Sequence, residues 1–343
     1  MNRSLSSFLF ARTVKHGRRA LASQLRPNLD FDYLLDKANA EAIRKNIALR
    51  KGVGDPEPMY QAWEKIERIM EERGQSKITE EEYQRLWDEL YEAALLIPNT
   101  SHATSPAGDE SKNQVVDEWG ETIQIKEPKT IEHLVKKWGS LFFPKEACGE
   151  RSYTLVGPLA RLERNLLDYA YKTVIGRGFS PVVISDLVAQ SVTKACGVQQ
   201  KEGAHPMQYR LLGEEGNVLS GTAEMGIAAM LRNRTFKTSE LPIRLVSQSR
   251  CYRPEISRSA AEAKLYRVHE FTKVEMFVVC APENSDSELE NIVSIQKDIF
   301  KKFKNIKARL VNMATEELGA SAHRKFDIEA WMPGRKLWGE FLG

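Results

Sequence analysis

The 343-residue sequence has few of the features that mark a disulfide-rich, zinc-binding or membrane protein. Its four cysteines lie far apart, with no CxxC pair and no nearby histidine partner: Cys148, Cys196, Cys251 and Cys280. We therefore expect reduced thiols in a core, without a disulfide framework or a zinc site. The longest uninterrupted apolar run, residues 276–281, is too short to span a bilayer, which takes about 20 residues. These absences favour a globular protein without a membrane partner.

The sequence also lacks an excess of charge of either sign. It has 50 Lys and Arg against 47 Asp and Glu, a net charge of +3. This balance excludes a strongly basic coat for nucleic acid, although it leaves room for a local basic patch. Two glycine-rich phosphate signatures are missing as well: there is no GxxxxGK[ST] string, and Gly52 and Gly54 do not continue into GxGxxG. The length fits one large domain or two ordinary ones.

Residues 1–29 contain no acidic side chain, and the first one in the chain is Asp30. They carry six Lys and Arg, several serines and four apolar residues that would share one side of a helix: Leu5, Phe8, Leu9 and Val14. This composition is typical of a mitochondrial transit peptide, and the alternative is a disordered basic tail. We expect residues 1–29 to direct the protein to the mitochondrial matrix and about 25 of them to be removed on import.

Residues 55–96 show two helical patterns. Apolar residues recur every three or four positions in each half: Met59, Trp63, Ile66 and Met70, then Tyr83, Leu86, Leu90 and Ala94. The pattern predicts an antiparallel hairpin within a shortened helical arm over residues 30–100. Residues 98–113 are rich in Ser, Thr, Pro and Asn, which predicts a linker.

Residues 101–343 mix helical and strand patterns, and the two types do not alternate strictly. This order favours an α+β domain with an antiparallel sheet. We predict helices at 158–175 and from 285 onward, and strands at 181–187, 242–253 and 268–279. Ser285 and Glu288 have the spacing of a capping box at the start of the second helix.

The strand at 268–279 has two different faces. Alternation places Phe271 and Glu275 on the same face, and Arg253 and Glu255 lie at the end of the preceding strand. An arginine can bind a phosphate with two hydrogen bonds, a phenylalanine can stack on a base, and carboxylates can accept from amines. The hairpin therefore has the parts of a nucleotide site. The alternative is a hairpin with a solvated, charged face.

Five strings occur in an order that points to one family. They read GTAE at 221–224, LPIR at 241–244, CYRPE at 251–255, YRVHEFTKVEMF at 266–277 and KFDIEAWMPG at 325–334. Together they resemble the seryl-tRNA synthetase family, most closely its mitochondrial branch, over about residues 30–340. The resemblance implies a dimeric class II aminoacyl-tRNA synthetase core, an antiparallel sheet flanked by helices, preceded by a helical arm that grips tRNA.

The resemblance also implies binding roles for ATP and Mg²⁺. Arg253 would hold the α-phosphate of ATP and act in catalysis. Glu255 would accept from the adenine amino group, and Phe271 would stack under the ring. Glu340 corresponds to the acidic residue that helps to hold Mg²⁺ and ATP, and like Arg253 it would act in catalysis.

The same resemblance implies a serine pocket. Thr222 and Glu224 would surround the amino group of serine, and Glu275 would accept its hydroxyl. The serine carboxylate would attack the α-phosphate held by Arg253. Because both reactants are anions, catalysis needs positioning and positive charge.

The sequence departs from the family pattern in four places. It stops at residue 343, before the strand and the arginine-bearing helix of motif 3. Ala263 and Lys264 stand where the motif 2 loop usually has Arg-Gly, and Ser185 stands at the motif 1 proline of the dimer interface. The arm is shorter than the family's, and residues 55–96 contain 12 acidic against 5 basic residues, a net charge of −7 that repels phosphates.

These departures favour a non-catalytic paralogue, similar to the inactive seryl-tRNA synthetase-like proteins of insect mitochondria. Such a protein would act through a partner or through RNA, with tRNA(Ser) as the candidate. The expected assembly is a homodimer or a heterodimer with the catalytic mitochondrial seryl-tRNA synthetase, formed around the helix that carries Leu162 and Leu166. The alternative is a mitochondrial serine–tRNA ligase, using ATP and Mg²⁺, represented by a truncated sequence.

Overall fold

The computed structural model describes residues 27–71, 79–121, 124–198, 207–213, 216–255 and 265–342. The chain divides into two compact units. The first consists of Met1–Asp117 and Leu310–Asp327, and the second of Glu118–Arg309 and Ile328–Leu342. Nearly all of the predicted transit peptide lies outside the described residues, and its removal stays a prediction. The domain boundaries that we placed at residues 30 and 101 also stay predictions.

Four helices form the N-terminal part of the first unit. They are α1 (Phe31–Leu34), α2 (Ala40–Leu49), α3 (Glu57–Glu71) and α4 (Glu80–Ala94). The helix α4 begins at a capping box, in which Thr79 Oγ1 accepts from the Glu82 backbone N–H and Glu82 accepts from the Thr79 N–H. This box satisfies two amide groups that have no partner within the helix. The string Thr79-Glu80-Glu81-Glu82 contained that signal, and our sequence analysis missed it.

The predicted hairpin of two amphipathic helices is confirmed. Met59, Ile66 and Leu90 are completely buried between α3 and α4. The rings of Trp63 and Trp87 meet edge to face, with centroids 6.0 Å apart. Because each apolar stripe repeats at the helical period, the two stripes can face each other along their length.

The predicted linker at 98–113 is instead paired along its length with residues 312–323. The N–H groups of Asn99 and His102 donate to Ala320 O and His323 O, at 2.8 and 2.9 Å. Farther on, the Thr315 N–H donates to Pro106 O at 2.8 Å. The linker prediction was wrong because irregular backbone can satisfy its polar groups on a second irregular segment.

Arg50, the residue that follows α2, stabilises this pairing by hydrogen bonds to both segments. Only 4% of the residue is exposed, and its guanidinium donates to Asn99 O at 3.2 Å, to Ala322 O at 3.0 Å and to Gly319 O. Burial lowers the pKa of Arg50. Carbonyl oxygens thus take the place of a carboxylate around a buried cation.

The second unit contains most of the remaining elements. Its helices are α5 (Ile131–Lys136), α6 (Lys145–Cys148), α7 (Pro158–Gly176), α8 (Gln190–Ala195), α9 (Ala223–Leu231) and α10 (Ser285–Lys301). Its strands before residue 300 are β2 (Leu141–Phe142), β3 (Thr154–Leu155), β4 (Ser180–Pro181), β5 (Leu187–Ala189), β6 (Asn217–Leu219), β7 (Ile243–Tyr252) and β8 (Glu270–Val279). A further sheet has the strand order β1-β9-β10-β11, with β1 at Gln114–Trp119, β9 at Ala308–Asn312, β10 at Phe326–Met332 and β11 at Leu337–Leu342.

The hairpin β7–β8 is the centre of the second unit. Its strands are antiparallel, from Ile243 opposite Val279 to Tyr252 opposite Glu270, and β4 runs parallel to β7. The helices α7 and α9 both lie against this hairpin. The α+β class with an antiparallel sheet flanked by helices is confirmed.

The predicted strand at 181–187 was wrong in its extent. Only Ser180–Pro181 pairs with β7, and Leu187–Ala189 pairs instead with β6. Between them the side chain of Val183 is 93% exposed, and the Leu187 N–H donates to Ser185 Oγ at 3.1 Å. This local hydrogen bond to the serine hydroxyl oxygen occupies an amide that a strand pairing would otherwise use, and the chain turns here.

The capping box predicted at Ser285 was also wrong. Asn284 occupies the N-cap position of α10, and Ser285 is already its first residue. The side chain of Glu288 lies instead against Arg244 on β7, with Nε–Oε2 and Nη2–Oε1 distances of 3.0 and 2.5 Å. A charge-assisted pair with two hydrogen bonds outcompetes a cap.

The four cysteines are free thiols, as expected, but they do not all lie in a core. Cys251 is buried, Cys196 and Cys280 are partly buried, and Cys148 is exposed at the end of α6. The expectation of a core position was therefore wrong for Cys148. Within the described ranges, no helix combines the length and the apolar character needed to cross a bilayer.

Candidate active site

The carboxylate of Glu275 on β8 lies at the N-terminus of α9. It accepts from the Thr222 hydroxyl at 2.7 and 2.6 Å, from the Ala223 N–H at 2.7 Å and from the Glu224 N–H at 3.3 Å. The first amides of a helix have no partner within the helix and carry partial positive charge, so a carboxylate is stabilised there. The structure thus brings together Thr222, Glu224 and Glu275, which sequence reasoning placed in one pocket.

Lys273 also belongs to this cluster, and our sequence analysis missed it. Its ammonium Nζ lies 2.8 Å from Thr222 Oγ1 and 3.0 Å from Glu275 Oε1. The signal was available, because alternation along β8 places Lys273 on the face that carries Phe271 and Glu275. Alternation gives the face of the strand but not the partner, and a lysine on a strand is ordinarily a solvated side chain.

Glu224 is the second carboxylate of the pocket. The residue as a whole is exposed to solvent, but neighbouring protein atoms partly remove water from around its carboxylate. This desolvation raises the pKa of Glu224, the charge of Glu275 raises it further, and Lys273 opposes both. Behind it, Cys196 at the end of α8 has a pKa raised to about 11 by burial and by the charge of Glu224.

Arg253 and Phe271 form the other end of the site. The Arg253 Cζ atom lies 5.2 Å from the centroid of the Phe271 ring, and its Nε donates to Gly221 O at 3.3 Å. Glu255 follows two residues later, where Arg267 Nη1 lies 3.1 Å from its Oε2. Cation, ring and carboxylate therefore lie together at the end of the hairpin where the chain connects β7 to β8. Ala263 and Lys264 lie outside the described residues.

Glu340 lies apart from this group in the sheet pairing. It is exposed on β11, opposite Glu329 on β10, and Glu329 in turn binds Arg309 with an Nε–Oε2 distance of 2.5 Å. Within the described ranges, no hydrogen bond or ion pair joins Glu340 to the β7–β8 residues, and no three potential ligands converge on a metal position. The described side chains thus do not form a metal centre of their own. Mg²⁺ bound mainly through nucleotide phosphates needs only one or two carboxylates.

Comparison with known proteins identifies the family. The model of the tRNA synthetase class II core domain (G, H, P, S and T) matches residues 209–340. The chain is 31% identical to the serine–tRNA ligase of Treponema denticola over 351 aligned positions, which cover 90% of this chain and 82% of that protein. The chain belongs to the seryl-tRNA synthetase family.

Mitochondrial members of the seryl-tRNA synthetase family are among its relatives. The mitochondrial serine–tRNA ligase of Mus musculus is 36% identical over 277 residues, which cover 75% of this chain. The chain spans about half the length of that relative, since the match covers 50% of it. The seryl-tRNA synthetase of Pyrococcus horikoshii, solved in complex with ATP, shares the fold with a TM-score of 0.77 at 24% identity, covering 91% of this chain and 83% of that one.

The seven site residues that the family resemblance predicted lie in two groups in the structure. Six of them lie around the β7–β8 hairpin and the start of α9: Thr222, Glu224, Arg253, Glu255, Phe271 and Glu275. The seventh, Glu340, lies on another sheet. Chemically, the first group offers carboxylates for an ammonium, a guanidinium for an anion and a ring for a flat heterocycle.

Proposed function

We propose that this chain is a mitochondrial seryl-tRNA synthetase-like protein that binds serine in the pocket of Thr222, Glu224 and Glu275 and does not make seryl-tRNA. The observation that carries serine binding is the Glu275 carboxylate, which Thr222 and two backbone amides hold in one orientation at the start of α9. A fixed acceptor beside a second carboxylate, Glu224, suits a small ligand that has both an ammonium and a hydroxyl group.

Each polar group of serine has a counterpart in the pocket. Glu224 takes the ammonium, and Glu275 accepts from the hydroxyl. Arg253, whose guanidinium reaches Gly221 O next to Thr222, takes the carboxylate. An amino acid without the hydroxyl lacks this hydrogen bond to the charged Glu275 carboxylate and should therefore bind more weakly.

ATP, if it is retained as a ligand, uses the other end of the site. The α-phosphate goes to Arg253, the adenine ring stacks on Phe271, and the adenine amino group donates to Glu255. Arg267 already binds that carboxylate, so adenine shares Glu255 with it. Mg²⁺ would arrive with the phosphates, with Glu340 as its carboxylate, and would supply neutralising charge.

The loss of aminoacylation is supported by two changes in charge. Ala263 removes an arginine that the family directs to the phosphates, and Lys264 can restore a charge but not a planar fork of donors. The hairpin of α3 and α4, at a net charge of −7 over residues 55–96, repels an RNA backbone. The first change removes a cation from a reaction between anions, a loss that costs on the order of a hundredfold in rate. The second change weakens the binding of tRNA.

Activity as a serine–tRNA ligase is the second candidate. It is favoured by Thr222, Glu224, Arg253, Phe271 and Glu275, which all stand at family positions and lie together around the β7–β8 hairpin.

Two measurements on the purified chain test the proposal. We expect calorimetry to detect L-serine binding, weakened at least tenfold by Glu275→Gln, and we expect serine-dependent ATP–pyrophosphate exchange to stay at the level of a heat-inactivated control. Ala263→Arg alone should not restore exchange. Measurable exchange by the unmodified chain would establish the ligase instead, and absence of serine binding would refute the pocket.

The relatives and the exposed face of α7 support a proposed location and proposed partners. Relatives named as mitochondrial support a place in mitochondria, and the composition of residues 1–29 supports the matrix. Leu162 and Leu166 on α7 are 51% and 41% exposed, which supports a protein interface there. We propose a homodimer or a heterodimer with the catalytic mitochondrial synthetase, and tRNA(Ser) as the candidate RNA.

A further inference from the structure

The ammonium of Lys273 sets the direction of the hydrogen bonds in the serine pocket. It lies 2.8 Å from Thr222 Oγ1 and 3.0 Å from Glu275 Oε1. An ammonium group can only donate, so the Thr222 oxygen accepts from Lys273 and its single proton must point to Glu275. The order of donation therefore runs from Lys273 through Thr222 to Glu275.

The pocket has an uneven charge count. Two carboxylates, Glu224 and Glu275, face one ammonium, Lys273, so this trio carries a net charge of −1 when all three are ionised. Among the residues that the structure describes, the other charged or titratable groups near it are Arg253 at the end of β7 and the thiols of Cys251 and Cys196. The pKa values of both thiols are raised, chiefly by burial, so the thiols are neutral near neutral pH.

We infer that Lys273 is a positioning residue for the amino-acid ligand: its ammonium balances the charge of Glu275 and orients that carboxylate, and thereby leaves the charge of Glu224 to pair with the ligand's ammonium. The inference rests on the proposed serine binding. It adds the charge balance that allows the pocket to bind a zwitterion, a ligand with one ammonium and one carboxylate. One ligand ammonium then brings the trio to neutrality, while the ligand carboxylate pairs with Arg253.

Removal of the Lys273 charge would change the protonation of the pocket. Two carboxylates close together in a partly desolvated place cannot both ionise easily, and one of them takes up a proton. The pKa of Glu224 is already raised by desolvation and by the charge of Glu275, and Lys273 is the group that opposes this rise. Glu224 is therefore the group that becomes neutral, and a neutral carboxyl attracts an ammonium only weakly.

The first test follows L-serine binding to the full chain by calorimetry between about pH 5.5 and pH 8.5. The variants are Lys273→Met, Lys273→Arg and the control Lys301→Met, which removes an exposed lysine at the end of α10. We expect Lys273→Met to bind serine about tenfold more weakly near pH 6 and to recover part of this loss toward pH 8. The pH profile of its affinity should therefore lie about one pH unit above that of the unmodified protein. Lys273→Arg and Lys301→Met should keep the profile of the unmodified protein.

The second test needs no ligand. The unfolding temperatures of the unmodified chain, Lys273→Met and Lys273→Met with Glu224→Gln are compared from about pH 5 to pH 8. A raised pKa for Glu224 in the folded state means that stability falls as pH rises and this carboxylate is forced to ionise. We expect the deficit of Lys273→Met to grow with pH, and the added Glu224→Gln change to abolish that growth.

The outcomes separate the two claims. A deficit in binding and in stability that is the same at every pH would show that Lys273 is only a structural residue, which overturns the inference. Failure of the unmodified chain to bind serine would overturn the proposed function, whereas the unfolding comparison would still decide whether Lys273 controls the charge of Glu224.

Discussion

The Thr222 hydroxyl lies within hydrogen-bond distance of both carboxylate oxygens of Glu275, at 2.7 and 2.6 Å, although 53 residues separate the two in the chain. The contact joins the start of α9 to the middle of β8. The same carboxylate accepts from the first amides of α9, and the contact forms the floor of the proposed serine pocket. Changes at this contact should therefore affect stability and binding together.

Glu275→Gln should lower the free energy of unfolding by about 2 kcal/mol and weaken serine binding at least tenfold. An amide offers one acceptor oxygen in place of two and turns N–H donors toward Lys273 and the Ala223 N–H. Urea unfolding and calorimetry measure the two effects. The matched control is Glu270→Gln on the opposite face of β8, where the carboxylate binds Arg250 near the surface. Loss of this exposed ion pair should change the free energy of unfolding very little. Equal effects of both variants would contradict the prediction.

Arg50→Met should destabilise the first unit by about 3 kcal/mol. The change leaves three carbonyls, Asn99 O, Gly319 O and Ala322 O, without the donor that now serves them. Arg50→Lys should recover only part of the loss, because one ammonium cannot span the same acceptors. Urea unfolding checks both. Arg44→Met, which breaks an exposed pair with Glu57, is the control, and a loss as large there would argue against a special role for Arg50.

One thiol should react rapidly with a disulfide reagent near pH 8, and Cys148→Ser should remove that reaction. Cys148 is exposed, whereas burial raises the pKa of Cys251 and raises that of Cys196 to about 11, above its ordinary value of 9.0. Because only the thiolate reacts, a raised pKa slows Cys196 at every pH below about 11. Its labelling in the folded protein should therefore accelerate as pH rises toward that value. Fast labelling of Cys196 near pH 8 would be inconsistent with the structure.

Leu162→Asp combined with Leu166→Asp should convert a dimer into a monomer. Both side chains are about half exposed on α7 in the single chain, so the change should not unfold it. In an assembly the new carboxylates would be buried without partners. Sedimentation of the full chain, and capture of the catalytic synthetase from mitochondria, measure the two possible assemblies. Leu212→Asp, at a fully exposed leucine, should change neither, and a monomeric unmodified chain that captures no synthetase would refute the prediction.

The mature protein should begin after about residue 25. The basic, serine-rich and acid-free composition of residues 1–29 is typical of a mitochondrial transit peptide. Mass spectrometry of protein isolated from mitochondria reads the new terminus directly. Replacement of Arg12, Arg18 and Arg19 by glutamine should reduce import, and mature mitochondrial protein that retains Met1 would disprove cleavage.

Local periodicity determined a large part of the fold and of the site. The stripes that include Met59 and Leu90 predicted the helical hairpin, because residues three and four apart share a helix face whatever else the chain does. In the same way, the two-residue period of a strand placed Phe271 and Glu275 together. The family strings added Thr222, Glu224 and Arg253, which no local pattern would have joined to that strand.

Competition between partners far apart in the sequence was decided only by the tertiary structure. Glu288 fits a capping box locally but lies against Arg244, and residues 98–113 read as a linker but pair with residues 312–323. Likewise, the sequence around Lys273 is compatible with a solvated lysine, whereas the tertiary structure places its ammonium next to the Thr222 hydroxyl. A sequence pattern fixes which face a side chain is on, whereas its partner depends on which distant groups the packing brings within about 3 Å.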